Sequence, residues 1–86
     1  MTYLIRLGRQ AKREIKVLDS VTVRRLEQRL EELSQEPSNP RISKAIRMRE
    51  GQRSSRVGEW RLIYQVNESE KVIFILAISH RSKAYK

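Results

Sequence analysis

The sequence predicts an α+β domain: a small antiparallel β-sheet with an N-terminal strand, and a helical hairpin packed on one sheet face. Three observations predict it. Apolar residues alternate at the N-terminus, recur at helical spacing between residues 11 and 33, and return to strand-like runs between residues 60 and 79. The 86 residues suit one domain, spanning 1–86.

The elements follow in order. Tyr3, Ile5 and Leu7 share one side of a short strand with Leu4 on the other, and Gly8 ends it. Ala11, Ile15 and Leu18 then recur among charged residues, which gives a short amphipathic helix. Asp19 and Ser20 offer capping oxygens for a second helix. Its apolar stripe is Val23, Leu26, Leu30 and Leu33, and Pro37 and Pro40 stop it. So short a connection predicts that the two helices run antiparallel. Arg41 to Arg56 is basic and weakly patterned, read as a loop with one short strand. Arg53 to Val57 is read as a strand entering a tight turn at Val57-Gly58-Glu59, which leads into the strand Trp60 to Val66, rich in aromatic and β-branched residues. A polar turn at Asn67 to Lys71 leads into Val72 to Ser79, apolar on both faces and so read as a central strand. Trp60 and Tyr64 are read as core residues.

Composition limits the function classes. The chain lacks Cys, which excludes disulfides, thiol catalysis and Cys-based zinc sites, and its one His excludes a multi-His metal site. No cofactor or metal is expected. No apolar run approaches the roughly 20 residues that span a bilayer, and Arg6 interrupts the short apolar start, so the expected location is cytoplasmic with no membrane partner.

The net charge of +9 points to a polyanionic partner, nucleic acid first. The charge is uneven. Residues 41–61 hold seven basic groups (Arg41, Lys44, Arg47, Arg49, Arg53, Arg56, Arg61) against two acidic ones, a net of +5. Residues 79–86 add +3 through Arg81, Lys83 and Lys86. In these two segments Arg outnumbers Lys seven to three, and planar guanidinium groups grip phosphate bidentately. The candidate nucleic-acid contacts are Lys44, Arg47, Arg49, Arg53, Ser54 and Lys83.

The string Ser79-His80-Arg81-Ser82-Lys83-Ala84-Tyr85 is the candidate for chemistry. An RNA 2′-OH attacks its own neighbouring phosphate if a base takes its proton, an acid protonates the leaving 5′-oxygen, and cations stabilise the charge on phosphorus. Histidine titrates near neutrality and suits the proton work. Arg61 and Arg81 suit charge stabilisation. Tyr85 suits stacking on a base or orienting a hydroxyl. The alternative reading leaves His80 as a surface residue at a strand end and Tyr85 as a terminal packing contact.

These residues resemble a family. Arg56-Val57-Gly58-Glu59-Trp60-Arg61-Leu62-Ile63-Tyr64-Gln65-Val66, then an apolar strand and His80-Arg81-x-x-x-Tyr85, look like the RelE group of the RelE/ParE superfamily of bacterial and archaeal toxins. Tyr3-x-Ile5, Ala11 and the Leu-rich second helix ending at Pro37 agree in kind and spacing, so the resemblance covers nearly the whole chain. It implies a microbial-ribonuclease-like fold and the toxin of a type II toxin–antitoxin pair. It implies a ribosome-dependent endoribonuclease that cuts mRNA in the A site without metal, by 2′-OH attack. It also implies a wrapping, acidic antitoxin, with operator DNA bound only through the toxin–antitoxin complex. Carried over by position, Arg61 and Arg81 contact phosphate, Tyr85 stacks or orients near the cleaved nucleotide, and His80 is a natural acid or base. Ser54 and Arg56 stand where the best-known branch carries two lysines. Arg56 binds phosphate but is a poor proton acceptor. The base is then His80, or the chemistry relies mostly on positioning. The helix that follows the last strand in some members is expected to be missing. The alternatives are a ParE-like inhibitor of DNA gyrase and a non-catalytic basic module that binds nucleic acid or the ribosome.

Overall fold

The structure is a computed structural model that describes the backbone of residues 2–84 and the side chains of residues 2–82. The elements are β1 (Leu4–Leu7), α1 (Arg9–Val17), α2 (Ser20–Gln35), β2 (Lys44–Ala45), β3 (Gln52–Val57), β4 (Trp60–Asn67), β5 (Val72–His80) and the single turn α3 (Arg81–Ala84). They form a five-stranded sheet of order β1-β5-β4-β3-β2. The pairings from β2 to β5 are antiparallel, as the sequence predicts. β1 is the exception. It joins parallel to β5, Leu4 opposite Val72 and Leu7 opposite Ile75, so the sheet is mixed. Two helices stand between β1 and the rest of the chain, and a connection of that length permits either direction.

Alternation sorts the strands. Ile5 and Leu7 of β1, Leu62 and Tyr64 of β4, and Ile73, Ile75 and Ile78 of β5 meet Ala11, Leu26 and Leu33 of the helices. Both helices therefore cover one face. Between Ile63 and Tyr64 the register with β5 shifts and leaves Leu76 as an extra residue, which explains why buried positions run 73, 75, 78. β1 ends before this point. There Gln10 of α1 replaces a strand: its Nε2 donates to the Ile78 carbonyl (3.0 Å) and its Oε1 accepts from the Ile78 amide (2.8 Å).

Local chemistry sets the ends. Asp19 caps α2, accepting from the Thr22 amide (3.1 Å) and the Thr22 hydroxyl (2.7 Å). Those two donors hold the Asp19 carboxyl below its ordinary value of 3.8. Gly58 takes φ +61 in the two-residue turn between β3 and β4, a conformation that costs other residues. Gly8 is needed for a different reason. A Cβ there would sit 2.9 Å from the Ile75 carbonyl oxygen and 3.1 Å from the Phe74 ring.

A buried polar chain anchors the segment between α2 and β2. The Arg53 guanidinium donates to Ser43 Oγ, Ser43 meets the Tyr64 hydroxyl, and Tyr64 donates to the Pro37 carbonyl (2.7 Å). Burial pushes the Tyr64 phenol above its ordinary value. Instead of lacking a helix after β5, the chain makes the helical turn α3, whose Arg81 amide donates to the Glu59 carbonyl (2.7 Å). Among the described residues no helix is long and apolar enough to cross a membrane.

Candidate nucleic-acid interface

The sheet face away from the helices is open, and its basic end is built from β2, β3 and β4. Val57 and Trp60 close the two-residue turn, which makes Arg56 and Arg61 the next pair, directly opposite each other. In that register the pair is the closely spaced, non-hydrogen-bonded kind, with Cα atoms about 4.5 Å apart. Like charges so placed repel, which costs stability and gains function only if an anion sits between them. On the same face Lys44 lies opposite Ser54, and Ser79 of β5 opposite Arg61.

Lys44, Ser54, Arg56 and Arg61 line a groove of about 460 Å³ together with Arg29 and the chain from Pro40 to Ser43. Five cations line it (Arg29, Arg41, Lys44, Arg56, Arg61) and no carboxylate does. Among the described residues Arg41, Lys44, Arg56 and Arg61 make no ion pair. Arg29 is the exception. Its Nε faces Glu32 at 3.1 Å, while its Nη1 donates to Ser55 Oγ (2.8 Å) and the Arg56 carbonyl (2.7 Å). It thereby satisfies the outer edge of β3 and fixes the backbone that carries Arg56. Arg29 escapes sequence reasoning because it is one of many charges along α2, and nothing in that pattern says which reaches the sheet.

The other expected residues divide. Arg47 and Arg49 lie on the loop between β2 and β3, around the exposed Met48, outside the groove. Arg53 faces the helix side, where Ser43 accepts its Nε–H. His80 pairs with Trp60, one position from the Arg61–Ser79 pair, and alternation turns it to the helix face. Its ring meets Trp60 edge-on at 5.0 Å, its Nε2 is 3.8 Å from Glu59, and its Nδ1 is 3.0 Å from the Ser82 hydroxyl. The structure thus groups Arg56, Arg61, Ser54 and Lys44 but sets His80 apart from them. Arg81 is exposed at the start of α3. Tyr85 and the Lys83 side chain lie outside the described residues. Among the described residues no cluster of three His, Cys, Asp or Glu side chains is placed to hold a metal.

Residues 5–85 match the model of the family described as ParE toxin of type II toxin-antitoxin system, parDE. The chain belongs to the RelE/ParE superfamily of type II toxins. The toxin resembles a chain of the RelBE2 toxin–antitoxin complex of Mycobacterium tuberculosis, at 30% identity over 94% of this chain and 100% of that one, TM-score 0.80. It resembles a chain of the archaeal RelE–RelB complex of Pyrococcus horikoshii at 26% identity, covering 96% and 99%, TM-score 0.83. Against a free E. coli RelE variant with two arginines replaced by alanine, the identity is 21%, the coverage 99% and 90% and the TM-score 0.83, a likeness of fold. No curated protein sequence matches the toxin significantly.

Proposed function

We propose that the toxin is a ribosome-dependent endoribonuclease that cuts mRNA in the A site by attack of the RNA 2′-OH on its neighbouring phosphate. The observation that carries this reading is the opposed pair Arg56 and Arg61 in a groove of five cations without a carboxylate. Such a site draws an RNA backbone in and stabilises the extra negative charge of the phosphorane. Arg56 and Arg61 take opposite sides of the phosphate, and Lys44 adds a third cation at the groove. On this reading Arg81 adds a phosphate contact and Tyr85 serves as a stacking or orienting group, as the family resemblance implies. With His80 turned to Trp60, rate comes mostly from positioning and charge stabilisation. Solvent water accepts the 2′-hydroxyl proton as the P–O2′ bond forms and protonates the 5′-oxygen as the P–O5′ bond breaks, leaving a 2′,3′-cyclic phosphate and a 5′-hydroxyl.

Two of these solved relatives were determined as toxin–antitoxin complexes. By extension a cognate antitoxin neutralises this toxin, laying an acidic segment over the basic groove, and operator DNA is reached only through that complex. Translation in the cytoplasm is then the target. The match to the ParE family supports a second reading, inhibition of DNA gyrase on the same fold.

One experiment separates the readings. Wild type and an Arg61→Ala, Arg81→Ala, Tyr85→Ala triple variant are expressed from a tight promoter, and the 5′ ends of mRNAs on translating ribosomes are mapped. New ends in reading-frame register with wild type alone are expected. Growth arrest with a DNA-damage response and intact mRNA would instead establish the gyrase reading.

A further inference from the structure

The open face has a second end, and its residues fall in one cross-strand row. Arg6 of β1 lies opposite Phe74 of β5, and Phe74 opposite Gln65 of β4. All three are exposed, Phe74 at 41%. The row borders a depression of about 560 Å³, a volume in the range of small-ligand sites. Unlike the basic groove, this depression also has carboxylates, Glu68 and Glu70, at its rim. That mixture repels a phosphate but accepts a neutral base.

Gly8 holds the aromatic ring in place. Its missing Cβ would lie 3.1 Å and 3.5 Å from two atoms of the Phe74 ring, so the ring rests against bare backbone. Gln65 supplies an amide that donates and accepts. Arg6 supplies a donor fork and a planar surface. An aromatic, an amide and an arginine side by side on a sheet are the equipment that reads an unstacked base.

The row and the basic groove lie on the same face of the sheet. Gln65 is four residues along β4 from Arg61, about 13 Å away at strand rise. One stacked nucleotide step is about 3.4 Å, so a base in this row belongs to a nucleotide a few places from the phosphate held by Arg56 and Arg61. We infer that Arg6, Gln65 and Phe74 form a base-reading site for an mRNA nucleotide flanking the cut, with Phe74 as the stacking platform. The inference rests on the endonuclease reading and adds a determinant of sequence preference to it.

The test compares cut sites for wild type, Phe74→Leu and Gln65→Ala, mapped as 5′ ends on translating ribosomes. Phe74→Leu keeps apolar packing on Gly8 and loses the ring face. Wild type should show a base preference at one fixed distance from the cut. In both variants the ratio between best and worst base there should fall about fivefold or more, with preferences at other positions kept. Retained preferences elsewhere show that the variants fold and seat normally. Cuts in wild type with no such preference, or an unchanged preference in the variants, would overturn the inference and leave the endonuclease reading standing. Absence of any wild-type cuts would remove both. Variants that cut with the wild-type pattern but escape neutralisation by the antitoxin would make the row a peptide-docking surface instead.

Discussion

Arg56 and Arg61 illustrate the conflict between stability and function at the scale of single residues. Their opposition on adjacent strands is unfavourable in the free protein. Arg56→Gln should therefore leave the thermal midpoint unchanged or slightly raised while weakening mRNA cleavage. Parallel melts and 5′-end counts check this, and a lowered midpoint would show that Arg56 has a structural role. Tyr64 presents the opposite case. Its hydroxyl links Ser43 to the Pro37 carbonyl inside the protein. Tyr64→Phe should cost about 1–3 kcal/mol, because it strands buried polar groups. Urea denaturation measures it. Of the residues that bear on the site, Arg56 and Arg61 were legible as phosphate-binding arginines, while their direct opposition is set by the register across the Gly58-Glu59 turn in the structure. Arg53 and His80 were not. Their charge and chemistry stood out in the sequence, but which way a strand residue points depends on which face the helices cover.

Among the elements, α2 depends on its cap. Asp19 is held below the ordinary carboxylate value by the Thr22 hydroxyl and amide, so its stabilising effect is present above the unfolded value near 3.8 and fades as pH falls through the folded value. Asp19→Ala should lower the thermal midpoint by roughly a few degrees at neutral pH. As pH falls through the folded value and both states become protonated, the two midpoints should converge. A gap that persists in acid would mean the cap does not act through its charge. Ile75 on β5 tests the packing between helices and sheet. It is fully buried in the cluster with Ala11 and Leu26, so Ile75→Ala should cost about 2–5 kcal/mol in urea. The strands, helices and turns of this layer were readable from periodicity and turn residues. The parallel β1 was not, since a four-residue strand shows its faces and not its direction.

For the whole molecule, electrostatics is the property that matters to a partner. The chain carries +9, and the five groove cations concentrate part of it on the open face. Binding to single-stranded RNA should weaken with salt, log affinity falling by about 0.7 per log unit of salt for each phosphate neutralised. Lys44→Ala should reduce that slope by about 0.7 for any RNA sequence, as a phosphate contact does. Fluorescence anisotropy across a salt series reads the slope. An unchanged slope would place Lys44 outside the contact.

The sequence by itself determined the class of fold, the order of its elements and the sign of its net charge. Each of these follows from local rules: periodicity, turn chemistry and composition. Only the tertiary structure decided that β1 runs parallel to β5, that Arg29 reaches from α2 to the Arg56 carbonyl, that His80 packs on Trp60, and that Arg6, Phe74 and Gln65 form one row. Those arrangements join residues up to 68 positions apart, as Arg6 and Phe74 are. Long-range neighbours are chosen by how the layers bury their apolar faces together, and no local pattern in the chain encodes that choice.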